Sequence, residues 1–380
     1  MIKALLAIAA LVLTGAAAAQ APLGLPDVPV PVDNPQTPEK IALGSRLFND
    51  LRFSSTRAVS CATCHIAALA FTDSPLHVSK GINDLTGTRN APTVVNAAFN
   101  KTQFWDGRSP DLEDQALHPF LNPVEMGLEN HDPILETIRN DSEYVKAFGT
   151  VFDAGPDEIS MNEVTKAIAA FERTQVSGDS PFDRWYFGGE QDAMTEDAVR
   201  GFAVFLGNGR CVSCHAMEQD FALFTDHQFH NVGVGINDIQ DKVPELARAF
   251  QVAKNEGMDV DVAVLTDADT SHLGRFAVDD QLSSMGAFKT STLRNIAVTA
   301  PYMHDGSIRT LREVVEHYNN GGVSKADGAV NPFLSGGIRP LNLTEQEMDD
   351  LVAFMEALTS PQFEQSLAGS VASAKVSGEE

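Results

Sequence analysis

Every cysteine in this 380-residue chain lies in one of two Cys-x-x-Cys-His segments, Cys61-Ala-Thr-Cys64-His65 and Cys211-Val-Ser-Cys214-His215. Such a segment is the attachment signature of c-type haem. Its two thiols bond the porphyrin edge, and the adjacent His supplies the proximal iron ligand. A zinc site would need further Cys or His at matching spacing, and no cysteine remains to supply one. A redox dithiol does not require His after the second Cys. The arithmetic favours two covalent haem c groups, and the fold must then enclose two flat apolar cofactors.

The N-terminus agrees with that chemistry. Met1-Ile2-Lys3 gives a positive start, Ala4 to Leu13 an apolar run, and Gly15 to Ala19 a small-residue stretch. This pattern predicts a signal peptide over 1–19, cut near Ala19–Gln20, and export to the periplasm. The run is short for a membrane span, and no later segment reaches that length. A formal charge of −25 argues against nucleic acid and anionic membranes as partners. It suits docking of a basic electron-transfer protein, and solubility alone accounts for it equally well.

The two motifs stand 150 positions apart, and each follows a similar lead-in: Gly44-Ser-Arg-Leu-Phe48 before the first, Gly201-Phe-Ala-Val-Phe205 before the second. Gly and Phe four apart share one helix face. The Gly lets another helix approach, and the Phe packs toward the cofactor. The repetition predicts a mainly α protein of two helical domains, 20–180 and 181–364, each carrying one covalent haem. Residues 177–192 read as the linker, Pro22 to Pro38 as a surface wrap, and 365–380 as a disordered tail. Ser160/Glu163, Thr195, Thr310/Glu313 and Thr344/Glu347 mark helix starts. Residues 233–285 form a long excursion to which the sequence assigns no chemistry.

Between and after the motifs come Phe104-Trp-Asp-Gly-Arg108, Leu112-Glu-Asp-Gln115-Ala116, Asn122-Pro-Val-Glu125-Met126, Leu293-Arg-Asn295 and Ala300-Pro-Tyr-Met-His-Asp-Gly306. In this order they resemble the bacterial di-haem cytochrome c peroxidases and the related MauG group, over about residues 36 to 360. The resemblance implies cytochrome c-like domains and reduction of hydrogen peroxide with electrons from a small cytochrome c or cupredoxin. Glu125 matches the distal acid–base carboxylate, and burial in a haem pocket would raise its pKa to suit that work. Gln115 matches a pocket amide, Pro119 a pocket-wall residue, and Trp105 the tryptophan between the haems. Asn90, Thr299 and Pro301 match positions that bind Ca²⁺ between them, partly through backbone oxygens, as a hard cation allows. An ordinary surface Glu, an exposed helical Gln, a core Trp and a plain turn are the bland alternatives.

Three departures matter. Tyr318, fourteen residues after His304, falls where ordinary peroxidases of this type carry Met and the MauG group carries Tyr. A phenolate favours Fe(III) and higher states, whereas thioether raises the potential. Met303, Met285 and His317 are rival ligands, and a plain core Tyr is the bland reading. The loop Val78 to Thr88 holds no His, so the resemblance implies a first haem that is open without reductive activation; His77 lies earlier. Gly209 occupies the place of the surface Trp used by the MauG maturase. These features keep a second reading in play: a MauG-like enzyme that uses peroxide to oxidise a protein or small-molecule partner. A non-catalytic two-haem carrier would need no distal Glu. Assembly as a monomer or a homodimer stays open.

Overall fold

The computed structural model describes residues 21–322 and 331–367. The expected signal peptide and residues 368–380 of the expected tail lie outside them. The first half runs through α1 (Pro38–Phe48), the haem-motif turn α2 (Cys61–Cys64), α3 (Leu112–Gln115), α4 (His118–Leu121), α5 (Asp132–Arg139), α6 (Ser142–Phe152) and α7 (Met161–Glu172). The second runs through α8 (Pro181–Tyr186), α9 (Glu196–Leu206), α10 (Val243–Asn255), α11 (Val260–Thr266), α12 (Ala268–Ser271), α13 (Phe276–Asp279), α14 (Leu311–Asn319) and α15 (Glu345–Glu356). The only paired strands among the described residues are β1 (Phe229–His230) and β2 (Phe288–Lys289), antiparallel. The protein is mainly α, as expected.

The capping sequences start helices where their chemistry predicts. Ser160 and Glu163 close a capping box on α7, as do Thr310 with Glu313 on α14 and Thr344 with Glu347 on α15. Thr195 accepts the Ala198 N–H at the head of α9. Each box satisfies amide groups that the first helical turn leaves unpaired.

The repeated Gly–Phe pair sets the packing of each half. α1 lies across α7, and α9 across α15. A Cβ on Gly44 would come 1.8 Å from the Ala167 carbonyl oxygen, and one on Gly201 would come 1.8 Å from that of Asp350. Only glycine permits either crossing. One turn on, Phe48 meets Phe171 at 5.2 Å between ring centroids, and Phe205 meets Phe354 at 5.1 Å. Two separate apolar cores follow, one around Leu43, Phe48, Phe120 and Phe148, the other around Phe182, Phe202, Phe224 and Phe354.

Three segments differ from the sequence expectation. Residues 177–192 hold α8, whose Phe182 is fully buried in the second core; aromatic packing turns the expected linker into part of the fold. Of the expected tail the described residues 365–367 are helical, following a short helical turn at Pro361–Phe363 whose Phe363 is buried against Ala70, Val95 and Val298. Residues 233–285 form a helical unit with its own core, including Ile236, Phe250, Leu273 and Met285. That unit leans on the first half: Arg108 pairs with Asp261 at 2.6 Å, and Thr88 donates to the Val264 carbonyl. The Pro22–Pro38 wrap ties both halves. Leu23 N–H donates to Asp179, Ala222 N–H to the Gly24 carbonyl, and Asn34 to that of Lys166.

Candidate active site

Each Cys-x-x-Cys-His segment is built the same way. His65 Nδ1 lies 3.1 Å from the Phe71 carbonyl oxygen, and His215 Nδ1 lies 2.9 Å from that of Phe224. Both Phe residues have left-handed backbones, which turn these carbonyls inward. A carbonyl only accepts, so Nδ1 carries the proton and Nε2 is left as a lone-pair donor, the tautomer a metal-ligating His needs. Burial pushes both imidazoles below their ordinary pKa, with the carbonyl bonds opposing it. All four cysteines are free thiols, and burial raises Cys64 to about 12. The donor set therefore fits a covalent haem at each segment.

Glu125 is brought to the first segment by a tight loop contact. Ile82 N–H donates to its carbonyl at 2.9 Å, and a Cβ on Gly81 would come 2.7 Å from its Cα. Its charge reaches both Cys61 and Cys64. Burial lifts the carboxyl to about 7, Asp261 adds to the rise, and Arg108 opposes it. Asp261 belongs to α11 of the excursion, so the segment without assigned chemistry supplies a charge beside the expected acid–base group. Asp261 is itself held by Arg108 and by Asn122 Nδ2 at 2.8 Å. Gln115 is half-buried at the end of α3, and its amide has no partner among the described residues. Loop 78–88 packs beneath Glu125, and His77 is exposed beside Gly306.

A cavity of about 690 Å³ lies at the second segment, lined by Cys211, Cys214 and His215. One stripe of α14, Leu311, Val314, Val315 and Tyr318, forms part of its wall, and burial raises the Tyr318 phenol. Of the rival ligands, Met303 lines the same cavity, Met285 is fully buried in the excursion core, and His317 Nε2 is hydrogen-bonded to the Val232 carbonyl at 2.8 Å. Gly209 lines the cavity too. So do Trp105, Asn90, Thr299 and Pro301, which places all four between the halves. Trp105 Nε1 donates to the Asn90 carbonyl at 2.9 Å, and Asn90 N–H donates to that of His304 at 2.9 Å.

The halves also repeat a turn that fixes this boundary. Gln103 bridges Ser109 as Tyr302 bridges Ile308. Phe104 and Met303 have positive φ, as do Gly107 and Gly306. Trp105 and His304 hold the same place in the two turns. The caps Asp111 and Thr310 follow, and eight residues after each stand Pro119 and Tyr318. The Pro119 side chain has no donor atom to offer a metal, whereas that of Tyr318 does.

A repeated helical scaffold with two such oriented His residues is the kind of site that c-type cytochromes build, present twice. The model of the di-haem cytochrome c peroxidase family matches residues 38–192. The chain is 37% identical to a methylamine utilization protein MauG of Methylorubrum extorquens, over 87% of this chain and 81% of that protein. It is 37% identical to the cytochrome-c peroxidase IdrP1 of Denitromonas iodatirespirans, over 94% and 93%. Its fold matches a crystal structure of a MauG-like protein associated with microbial copper homeostasis, with TM-score 0.72 and 33% identity over 90% of this chain and 97% of that one. The chain belongs to the di-haem cytochrome c peroxidase family, oxidoreductases that act on peroxide. No helix among the described residues is long and apolar enough to cross a membrane.

Proposed function

We propose that this is an exported, periplasmic enzyme of two haem c domains that reduces hydrogen peroxide to water with electrons from a small cytochrome c or cupredoxin. The observation that carries the reading is the half-buried Glu125 carboxyl beside Cys61 and Cys64, pushed up to about 7 by desolvation. Bound haem supplies the iron at which the O–O bond is cleaved and the storage for two electrons. His65 and His215, with Nδ1 turned to backbone carbonyls, would hold the two irons through Nε2. At the first site Pro119 stands where the second site has Tyr318, and its side chain would offer no ligand to the iron. Glu125 takes a proton from one peroxide oxygen and returns it to the other as the bond breaks, and a pKa near the working pH suits both steps. Gln115 orients peroxide or water beside it. Overall, one peroxide, two electrons and two protons give two waters.

Tyr318 would offer its phenol oxygen to the iron of the second site in this reading, and Trp105 would provide a route for electrons between the two sites. Asn90 Oδ1 with the carbonyls of Thr299 and Pro301 would hold Ca²⁺ at the boundary, a mainly neutral oxygen set that leaves room for waters. The acidic chain favours a basic donor. Tyr318 specifically favours the second reading, MauG-like oxidation of a partner, because a phenolate disfavours the reduced iron that a peroxidase must refill.

Steady-state peroxide turnover by the fully oxidised, haem-loaded protein with reduced small cytochrome c decides between them. Fast donor oxidation is the expected result. Negligible turnover, with peroxide still altering the haem spectrum, would establish oxidation of another partner instead.

A further inference from the structure

Lys289 is a half-buried cation with no carboxylate at ion-pair distance among the described residues. It sits on β2 with its side chain in the wall of the cavity at the second segment. Its Nζ donates to the Thr102 carbonyl at 2.8 Å, the one hydrogen bond it makes among the described residues. Its backbone N–H donates to the Trp105 carbonyl at 2.8 Å. Burial pushes the ammonium down to about 8, with Asp106 opposing. Asp106 is already committed at short range to Arg89 and Arg108. An ammonium offers three donors, and a buried charge is retained only where something compensates it.

The other cationic side chains around the cavity are placed differently. Arg294 is paired with Asp183 through two bonds of 2.8 and 2.9 Å. His230 is held by Asp226 at 2.7 Å. Arg210 directly precedes Cys211, at the thiol end, and Arg339 is exposed. His304 is driven toward neutrality by burial and by His272. Lys289 is the inner cation left for an anionic guest.

We propose that Lys289 is the internal counter-cation for a carboxylate of the cofactor in this cavity, one of the haem propionates. The inference rests on the reading that the second segment carries haem. It gives β2 a purpose: one residue grips the Trp105 loop through its backbone and through Thr102, and aims its charge at the cofactor edge. The cofactor and the tryptophan are then positioned by the same residue.

The test is potentiometric titration of the holoprotein, following each haem by its own absorption and EPR signals. Lys289→Met keeps length and removes the charge; Lys289→Arg keeps the charge. A positive charge beside a haem stabilises its reduced form. Lys289→Met should therefore lower the midpoint potential of one haem and leave the other in place, while Lys289→Arg restores it. Unchanged potentials in Lys289→Met, or equal shifts in both variants, would overturn the inference and leave Lys289 as a clamp on the Thr102 loop, visible only as a lower Tm. A haem stoichiometry of one per chain would instead sink the underlying reading and the inference with it. Two haems without a charge-dependent shift would sink the inference alone.

Discussion

At the scale of single residues, the proposed chemistry concentrates on Glu125 and the charges that set its proton affinity. Replacing Glu125 with Gln keeps the shape and removes the base. The rate of peroxide reaction should fall by about 10²–10⁴-fold while haem loading is unchanged, as read by stopped-flow absorbance. Glu125 must be ionised to take the first proton, so the wild-type rate should rise with pH through about 7. Asp261→Asn removes one of the forces raising that pKa and frees Arg108, which lowers it. Both effects have the same sign. The acid limb of the pH–rate profile should move to lower pH, and a limb that stays in place would show that Glu125 does not govern it.

At the scale of elements, the two helix crossings are the most demanding contacts. Gly201→Ala would set a methyl against the Asp350 carbonyl, backbone that cannot swing away. Separation of α9 from α15 should cost about 1–3 kcal/mol, read as a lowered denaturation midpoint. The equivalent change at Gly44 should act alike through α1 and α7. These crossings were legible in the sequence because the Gly–Phe spacing appears twice. The role of α8 was not. Gly178, Pro181, Gly188 and Gly189 look like a linker, and only the tilted and edge-on packing of Phe182 against Phe202, Phe224 and Phe354 shows that the segment is core. A propensity rule weighs local turn residues and does not see partners that arrive from far along the chain.

Across the whole molecule, buried charges tie the parts together and make stability depend on pH. Burial alone would raise Asp106, but Arg108 and Arg89 outweigh it and hold the carboxyl well below the usual range. A depressed carboxylate contributes stability that is present above its unfolded pKa and lost as pH falls through the folded one. The contacts among the first half, Arg89 and the excursion should therefore loosen in acid. Glu172 behaves oppositely. It is buried with one oxygen unpartnered, and burial lifts it to about 8. Its contribution is full below the unfolded pKa and lost as pH rises through about 8. Glu172→Gln should leave the Tm little changed near pH 4, where Glu172 is protonated in both states, and raise stability by about 1–2 kcal/mol near pH 9. Thermal melts at the two pH values check this, and equal effects at both would refute it.

The sequence by itself determined the two Cys-x-x-Cys-His segments, the repeated helix pair, the helix starts and the family. Each of these is written in residues close together, as fixed spacing, capping pairs or short motifs. The tertiary structure alone decided how distant charges meet: Asp261 beside Glu125, and Lys289 against Thr102 and Trp105. It also decided that residues 233–285 form a packed unit bracing the first half, and that the cavity wall joins Asn90 and Trp105 to Thr299 and Pro301. Carbonyl oxygens and buried ion pairs leave no periodic trace. Their partners are set by how the halves pack, and packing is a property of the whole chain at once.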